Sequence, residues 1–201
     1  MKKTLIIVDH PSFDRSVINR RWLEEVKKHP DEFLIHNLES SYPRERIDVS
    51  QEHSLIENNG AIVFEFPLCW YNCPPMLKKW YDYVLTGDWA FDKGHKLAGV
   101  KVGFAVTCGS DEQAYTPEGK HKHTISEFLL PQLHAMERCE AKFFGIYTFF
   151  GASSPELATV ERIADSARGY VEFLRKLSAD KPETTDTEKP PKTRITDYGK
   201  A

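Results

Sequence analysis

Apolar runs with the composition of β-strands alternate with amphipathic stretches of helical period along most of the chain. The predicted strands are rich in Val, Ile, Leu and Phe, and their bounds are Thr4–Val8, Phe33–His36, Ala61–Phe66, Val100–Thr107 and Lys142–Phe149. The predicted helices have apolar positions spaced by three and four residues, and their bounds are Ser16–Lys28, Ser50–Asn58, Met76–Leu85, Thr124–Glu137 and Pro155–Leu177.

This alternation predicts an α/β fold, because a parallel strand must return through a crossover that is usually a helix. Three central strands read as nearly continuous apolar runs, which is typical of strands covered on both faces. We therefore expect a doubly wound, three-layer sandwich around a five-stranded parallel sheet. Residues 1–179 form the predicted domain, and residues 180–201, rich in Pro, Thr and charges, form a predicted flexible tail or a strap on a partner.

The amino-acid composition disfavours some classes of function. The 201 residues are 40% hydrophobic and 28% charged, with a net charge of -3, so no polyanion-binding surface is indicated and nucleic acid is disfavoured as a partner. Neither a secretory leader nor an apolar run of about 18 residues is visible. The sequence therefore predicts a cytoplasmic protein.

The cysteines and histidines do not form a metal-binding pattern. The four cysteines (Cys69, Cys73, Cys108 and Cys139) include no CxxC pair, and the close pair His121 and His123 has no surrounding ligand pattern. We expect free thiols and no metal.

Three loops follow predicted strands at the edge where open parallel sheets bind ligands. The first loop, residues 9–17, lacks both GxGxxG and the P-loop pattern. It leads through His10 and Ser16 to Asn19, and N–H groups at a helix start favour a phosphate. The alternative is an ordinary helix cap at Ser16 and an exposed His10. The residues alone leave these two readings about equal.

The second loop, residues 67–74, places Trp70 and Tyr71 before a helix that starts at Pro74-Pro75. Such aromatic side chains can flank a flat aromatic ligand, or they can fill a core or an oligomer interface. The third loop, residues 107–123, is polar, and Gly109 would allow a close approach of the backbone to a ligand. Its Tyr115 and His121 could move a proton, although a Tyr and a His six residues apart are commonly plain loop residues.

Taken together, the motifs resemble those of the flavodoxin-like NAD(P)H:quinone oxidoreductase family, including its small branch of ancillary subunits of glutathione-gated potassium-efflux systems. "HPSFDRSVIN" resembles the flavin-phosphate loop of that family, and "FPLCWYNCPPMLKKWYDYV" resembles its Trp-Tyr segment, which is the most specific match. "GDWAF" and "TCGSDEQAYTPEGKH" are similar to two further segments of the family.

The resemblance implies a flavodoxin-like fold, bound FMN (with FAD as the alternative), and two-electron ping-pong transfer of hydride from NAD(P)H to a quinone. It also implies a homodimer and, for the small branch, peripheral association with a membrane transporter. Tyr115 would bond to or protonate the reduced flavin near N1–O2, with His121 supporting it. The implied cofactor-binding residues are His10, Ser16, Val17, Asn19, Pro67, Leu68, Cys69, Trp70, Tyr71, Thr107, Cys108, Gly109 and Ser110.

The chain also departs from the family pattern. Gly109-Ser110 replaces a Gly-Gly pair, and residues 92–95 replace a glycine-rich run. Those changes bear on pocket shape and substrate preference more than on the fold. Three other functions stay open from the sequence: a regulatory subunit of a cation-efflux channel, a single-electron carrier of flavodoxin type, and a relic that binds no flavin. The first loop lacks the phosphate pattern of the single-electron carriers, which disfavours that class.

Overall fold

The computed structural model describes residues 2–179, and all five predicted strands are present. Each lies within one residue of its predicted bounds: β1 Thr4–Val8, β2 Phe33–Asn37, β3 Ile62–Pro67, β4 Lys101–Thr107 and β5 Lys142–Phe149. The predicted tail, residues 180–201, lies outside the described residues.

Seven α-helices connect and flank the described strands. They are α1 Ile18–Val26, α2 Leu38–Ser41, α3 Val49–Asn58, α4 Pro75–Val84, α5 Ile125–Phe128, α6 Leu130–Arg138 and α7 Val160–Ser178. The sequence did not predict the single turn of α2. The predicted helix Thr124–Glu137 is interrupted after Phe128, because Pro131 has no N–H to donate to the preceding turn. The last helix starts later than predicted, where the Thr159 side chain accepts from Arg162 N.

The sheet is parallel throughout, with the strand order β2-β1-β3-β4-β5. Strands β1, β3 and β4 are therefore neighbours at its centre, and their carboxyl ends bring the first, second and third loops to one edge. This placement agrees with the rule that open α/β sheets bind ligands outside the carboxyl ends of their strands.

The two faces of the sheet carry separate hydrophobic cores. On β1, Leu5 and Ile7 pack toward α4 and α6, whereas Ile6 and Val8 pack toward α1 and α7. Side chains alternate between faces along a strand, so a strand that is apolar throughout serves both cores. The three-layer α/β prediction is thus confirmed. Among the described residues, no helix is both long enough and apolar enough to cross a membrane.

Candidate active site

The three loops at the carboxyl edge are joined to one another by hydrogen bonds. Leu68 N of the second loop donates to Thr107 O of the third at 2.9 Å. Thr107 Oγ1 in turn donates to Asn19 Oδ1, in the helix that follows the first loop, at 3.0 Å. The folded chain therefore brings together the segments that the sequence marked separately.

The first loop ends in backbone N–H groups that have no hydrogen-bond partner among residues 2–179. The helix α1 begins at Ile18 with Val17 before it, and the Ser16 side chain does not cap it. Its first backbone bond runs from Arg21 N to Val17 O. The N–H groups of Val17, Ile18 and Asn19 thus precede the helical bonds and are available to an anion. The capping interpretation of Ser16 is wrong.

The side chain of Asn19 is directed into the protein. It is buried, and its Oδ1 accepts from Ser16 Oγ at 3.2 Å as well as from Thr107. Its Nδ2 donates to Glu65 Oε1 of β3 at 3.4 Å. With both ends of its amide bonded internally, Asn19 ties the first loop to β3 and β4.

His10 lines a cleft formed by the first loop and the end of β2. Its Nδ1 accepts from Ser12 N at 3.1 Å, and its ring packs edge-on against Phe13 with centroids 6.2 Å apart. Burial lowers its pKa, which favours the neutral imidazole. The cleft, of 620 Å³, is also lined by Arg15 and Glu39.

The second loop contains an unusual turn. Cys69 and Asn72 exchange two backbone hydrogen bonds, of 2.8 and 3.0 Å, across Trp70 and Tyr71. Both central residues have positive φ, 47° and 65°, a conformation that normally selects Asn or Gly. Bulky residues there cost of order 1 kcal/mol each, and such strain is concentrated at functional sites.

This turn presents one aromatic ring to solvent and holds the other. Trp70 is 93% exposed, so the interpretation that it fills a core within one chain is wrong. Tyr71 stacks on Phe128 of α5, with centroids 4.7 Å apart and an interplanar angle of 28°. Pro67 and Leu68 precede the turn at the end of β3, and the Cys69 side chain is partly exposed.

The third loop is held by the segment after β5. Cys108 N donates to Phe149 O at 2.8 Å, and Ser153 N donates to Gly109 O at 3.1 Å. A Cβ at Gly109 would lie 2.9 Å from Ser153 Oγ, so glycine here accommodates Ser153. The Cys108 side chain is fully buried, and its backbone N–H and C=O are bonded to Phe149 O and Ala152 N, so its predicted contact with a cofactor is confined to packing.

Tyr115 and His121 lie together in the third loop. Their ring centroids are 4.6 Å apart, and the hydrogen-bond partners of His121 are Ser110 Oγ, 2.9 Å from Nε2, and the Tyr71 hydroxyl, 3.3 Å from Nδ1. Burial raises the pKa of Tyr115, so its hydroxyl keeps its proton at neutral pH. The two residues are in contact through ring packing, and no hydrogen bond joins their side chains.

Sequence reasoning missed three residues of this region. Phe128 and Phe150 pack against Tyr115, with centroids 6.3 and 5.6 Å away, and come from segments with no local signal for this role. Glu65 did have a signal, since it is the one charged residue in the apolar run "AIVFEFP". Burying a carboxyl group in a central strand is unfavourable unless it is hydrogen-bonded or paired with a charge, so such a residue is a candidate for a specific role.

Comparison with known proteins agrees with this architecture. A family described as having a flavodoxin-like fold matches residues 2–174. The chain belongs to this flavodoxin-like family. A family relative, general stress protein 14 of Bacillus subtilis, is 39% identical over 86% of this chain and 97% of its own length.

Two solved structures and one further sequence relative extend the comparison. General stress protein 14 from Treponema denticola, crystallised in complex with FMN, is 36% identical, with a TM-score of 0.82 over 87% of this chain and 99% of that one. An NADPH-quinone reductase from P. pentosaceus is 26% identical, with a TM-score of 0.77 over 89% and 99%. The ancillary protein KefG of a glutathione-regulated potassium-efflux system in Cronobacter sakazakii is 32% identical over 86% of this chain and 92% of its own length.

Proposed function

We propose that this protein is an FMN-dependent NAD(P)H:quinone oxidoreductase that works by a ping-pong sequence. The observation that carries the proposal is the junction of the three loops at one edge of the sheet, in a chain 36% identical to a relative crystallised with FMN. Relatives named NAD(P)H oxidoreductase and NADPH-quinone reductase support the choice of donor and acceptor.

The first loop fits the phosphate end of FMN. The backbone N–H groups of Val17, Ile18 and Asn19 lie at the positive end of the α1 dipole, where a phosphate is stabilised. Ser16 and Asn19 hold this backbone in place through their buried bond to each other. His10, at the edge of the loop, would line the phosphate or the ribityl chain.

The second and third loops fit the ring end. Within residues 2–179, no acceptor is found for the N–H groups of Trp70, Tyr71 and Gly109, whereas the Ser110 N–H faces the Tyr115 hydroxyl. The three unbonded N–H groups would donate to the oxygen and nitrogen acceptors of an isoalloxazine ring. The remaining residues assigned to the ring would pack against it: Pro67, Leu68, Cys69, Thr107 and the backbone of Cys108.

Bound FMN supplies the ability to take up a hydride and pass on two electrons. The protein positions the ring and stabilises the negative charge that reduction creates. In our proposal the protonated Tyr115 hydroxyl donates to the N1–O2 side of the ring. His121, bonded to Ser110 and Tyr71, keeps Tyr115 in place from the adjacent ring position.

We further propose a homodimer in the cytoplasm, with the acceptor site completed by the second copy. The almost fully exposed Trp70 ring supports this arrangement, because an isolated tryptophan in water at the edge of a ligand site is costly. A second candidate function is that of an ancillary subunit of a potassium-efflux transporter, which the similarity to KefG favours.

The decisive experiment is to purify the protein and identify any yellow cofactor that heat or acid releases. We expect FMN, and oxidation of NADH or NADPH that depends on added menadione, with parallel lines in a double-reciprocal plot when both substrates are varied. A colourless protein that takes up neither FMN nor FAD would contradict the proposal. Bound FMN without turnover, together with co-purification of a membrane transporter, would favour the ancillary role.

A further inference from the structure

One carboxyl group lies beneath the first loop, inside a central strand. Glu65 of β3 is fully buried, and its neighbours along the chain are the apolar residues Phe64 and Phe66. Burying a carboxyl group is unfavourable unless it is neutral or well hydrogen-bonded.

The contacts of this carboxyl group are few and uncharged. Oε1 accepts from Asn19 Nδ2 at 3.4 Å, whereas Oε2 is buried without a hydrogen bond among the described residues. The Tyr170 hydroxyl on α7, close enough to interact with the same carboxyl, is likewise buried and unbonded. Among the described residues, the donors that the site offers a carboxylate are therefore the Asn19 amide and the Tyr170 hydroxyl, and both are neutral.

Within residues 2–179, no cation faces Glu65 from the elements packed around it. The groups on this side are all neutral at pH 7. They are Asn19 of α1, Thr107 of β4, Tyr170 of α7 and, behind Tyr170, Tyr147 of β5. The Asp9 carboxyl at the end of neighbouring β1 bonds to Leu77 N of α4, which packs on the opposite face of the sheet. Burial accordingly raises the pKa of Glu65 to about 8.

We propose that Glu65 is a positioning residue of the flavin site that acts as a neutral carboxylic acid: it holds Asn19 and thereby the first loop, and its ionisation opposes a bound phosphate. This inference rests on the proposed function of the site.

The coupling between Glu65 and the phosphate follows from the place of Asn19. Asn19 contributes its backbone N–H to the anion-binding end of α1 and its side chain to Glu65, so one residue separates the two groups. In a poorly polarisable interior, a carboxylate there repels a phosphate that carries close to two negative charges. Neutral Glu65 therefore binds phosphate better, and by reciprocity a bound phosphate holds the proton on Glu65.

The test compares Glu65→Gln with the wild type. Glutamine keeps an oxygen that can accept from Asn19 and stays neutral at every pH. We expect the wild-type dissociation constant for FMN, measured by quenching of flavin fluorescence, to rise about tenfold between pH 7 and pH 9 as Glu65 ionises. The Glu65→Gln protein should show a nearly flat profile over the same range.

Three controls distinguish the effect of the charge of Glu65 from the effect of its hydrogen bond to Asn19. Glu24→Gln removes an exposed carboxyl group from α1, the helix that carries Asn19, and should reproduce the wild-type pH profile. Glu65→Leu is neutral but cannot accept from Asn19, so FMN should bind severalfold more weakly than to Glu65→Gln at every pH. Riboflavin, which lacks the phosphate, should lose much less affinity with rising pH than FMN does.

Thermal unfolding of the flavin-free proteins gives an independent measurement. The unfolded chain loses the Glu65 proton near its ordinary pKa, whereas the folded chain keeps it to about pH 8. The Tm of the wild type relative to Glu65→Gln should therefore fall as the pH rises from 5 to 8 and then level off.

The outcomes distinguish this inference from the proposed function. If the wild type binds no FMN, the proposed function fails and this inference fails with it. If FMN binds but the two pH profiles run parallel, or if Glu65→Leu binds as tightly as Glu65→Gln, the role of Glu65 is overturned and the proposed function stands.

Discussion

At the scale of single residues, Tyr115 illustrates how packing prepares a side chain for chemistry. Its ring lies among those of His121, Phe128 and Phe150, and it is only 8% exposed. This burial raises the pKa of its hydroxyl, which therefore acts as a hydrogen-bond donor throughout the neutral range. A group of this kind stabilises a developing anion without giving up its proton beforehand.

Substitution Tyr115→Phe tests this role. We expect the rate of flavin reduction by NAD(P)H to fall by roughly 10- to 100-fold, the effect of one hydrogen bond to a charged group, with FMN affinity nearly unchanged. Stopped-flow absorbance of the flavin measures the rate. Tyr83→Phe, on the exposed face of α4, serves as the control. An unaltered rate in Tyr115→Phe would remove this residue from the mechanism.

At the scale of elements, β1 and α4 are coupled by a cap that crosses between segments. The residue before α4 is Pro74, which offers no side-chain acceptor. Instead, Asp9 Oδ2, just beyond β1, accepts from Leu77 N in the first turn of α4 at 2.6 Å. This bond attaches the first loop to the helix that follows the second loop, and it places a carboxyl group at the positive end of a helix.

The buried Asp9 carboxyl should make the stability of the fold depend on pH. Burial raises the pKa of Asp9 to about 6, so the folded chain retains a proton that the unfolded chain loses near pH 4. The wild type should lose stability relative to Asp9→Asn, whose amide oxygen can also accept from Leu77, as the pH rises from about 4 to 6. The difference should reach about 1–3 kcal/mol and stay constant above pH 7. Urea unfolding measures it, and a difference that is independent of pH would contradict the assignment.

At the scale of the whole molecule, one buried carboxylate connects α3 with β2, with α4 and with the residue that follows α2. Glu52 of α3 accepts from His36 Nε2 of β2 and from Trp80 Nε1 of α4, both at 2.7 Å, and from the hydroxyl of Tyr42, which follows α2. Although burial alone would raise the pKa of Glu52, its three donors together lower it.

The Glu52 cluster predicts sensitivity to acid. Because the folded-state pKa of Glu52 is depressed, its contribution is present above its ordinary pKa and is lost as the pH falls through the folded-state value. Glu52→Gln should reduce the free energy of unfolding by about 2–4 kcal/mol at pH 7, and by less toward pH 4. Glu57→Gln, an exposed carboxyl change on the same helix, is the control. Equal stability of Glu52→Gln and the wild type at pH 7 would show that the cluster does not hold these elements.

The secondary structure and the fold class could be predicted from the chain because they depend on local patterns. Apolar runs in β1 to β5 and three- and four-residue spacings in the helices report which faces are buried, and strand–helix alternation leaves few topologies. Pro131 limited the prediction at α6, because the apolar spacing continues across a proline that fits only in the first turn of a new helix. The order of the predicted strands, together with the rule for open parallel sheets, also placed the three loops correctly at the carboxyl edge.

The roles of individual residues in the candidate site required the tertiary structure. The sequence presented Asn19 as a ligand donor, whereas folding turned its amide toward Glu65 and Thr107, residues 46 and 88 positions away. Nothing local indicates that Asp9 caps α4, or that Glu65 lies where a charge has no partner. Hydrophobic periodicity records whether a position is buried, but the partner of a buried polar group is set by which distant segments the sheet places beside it.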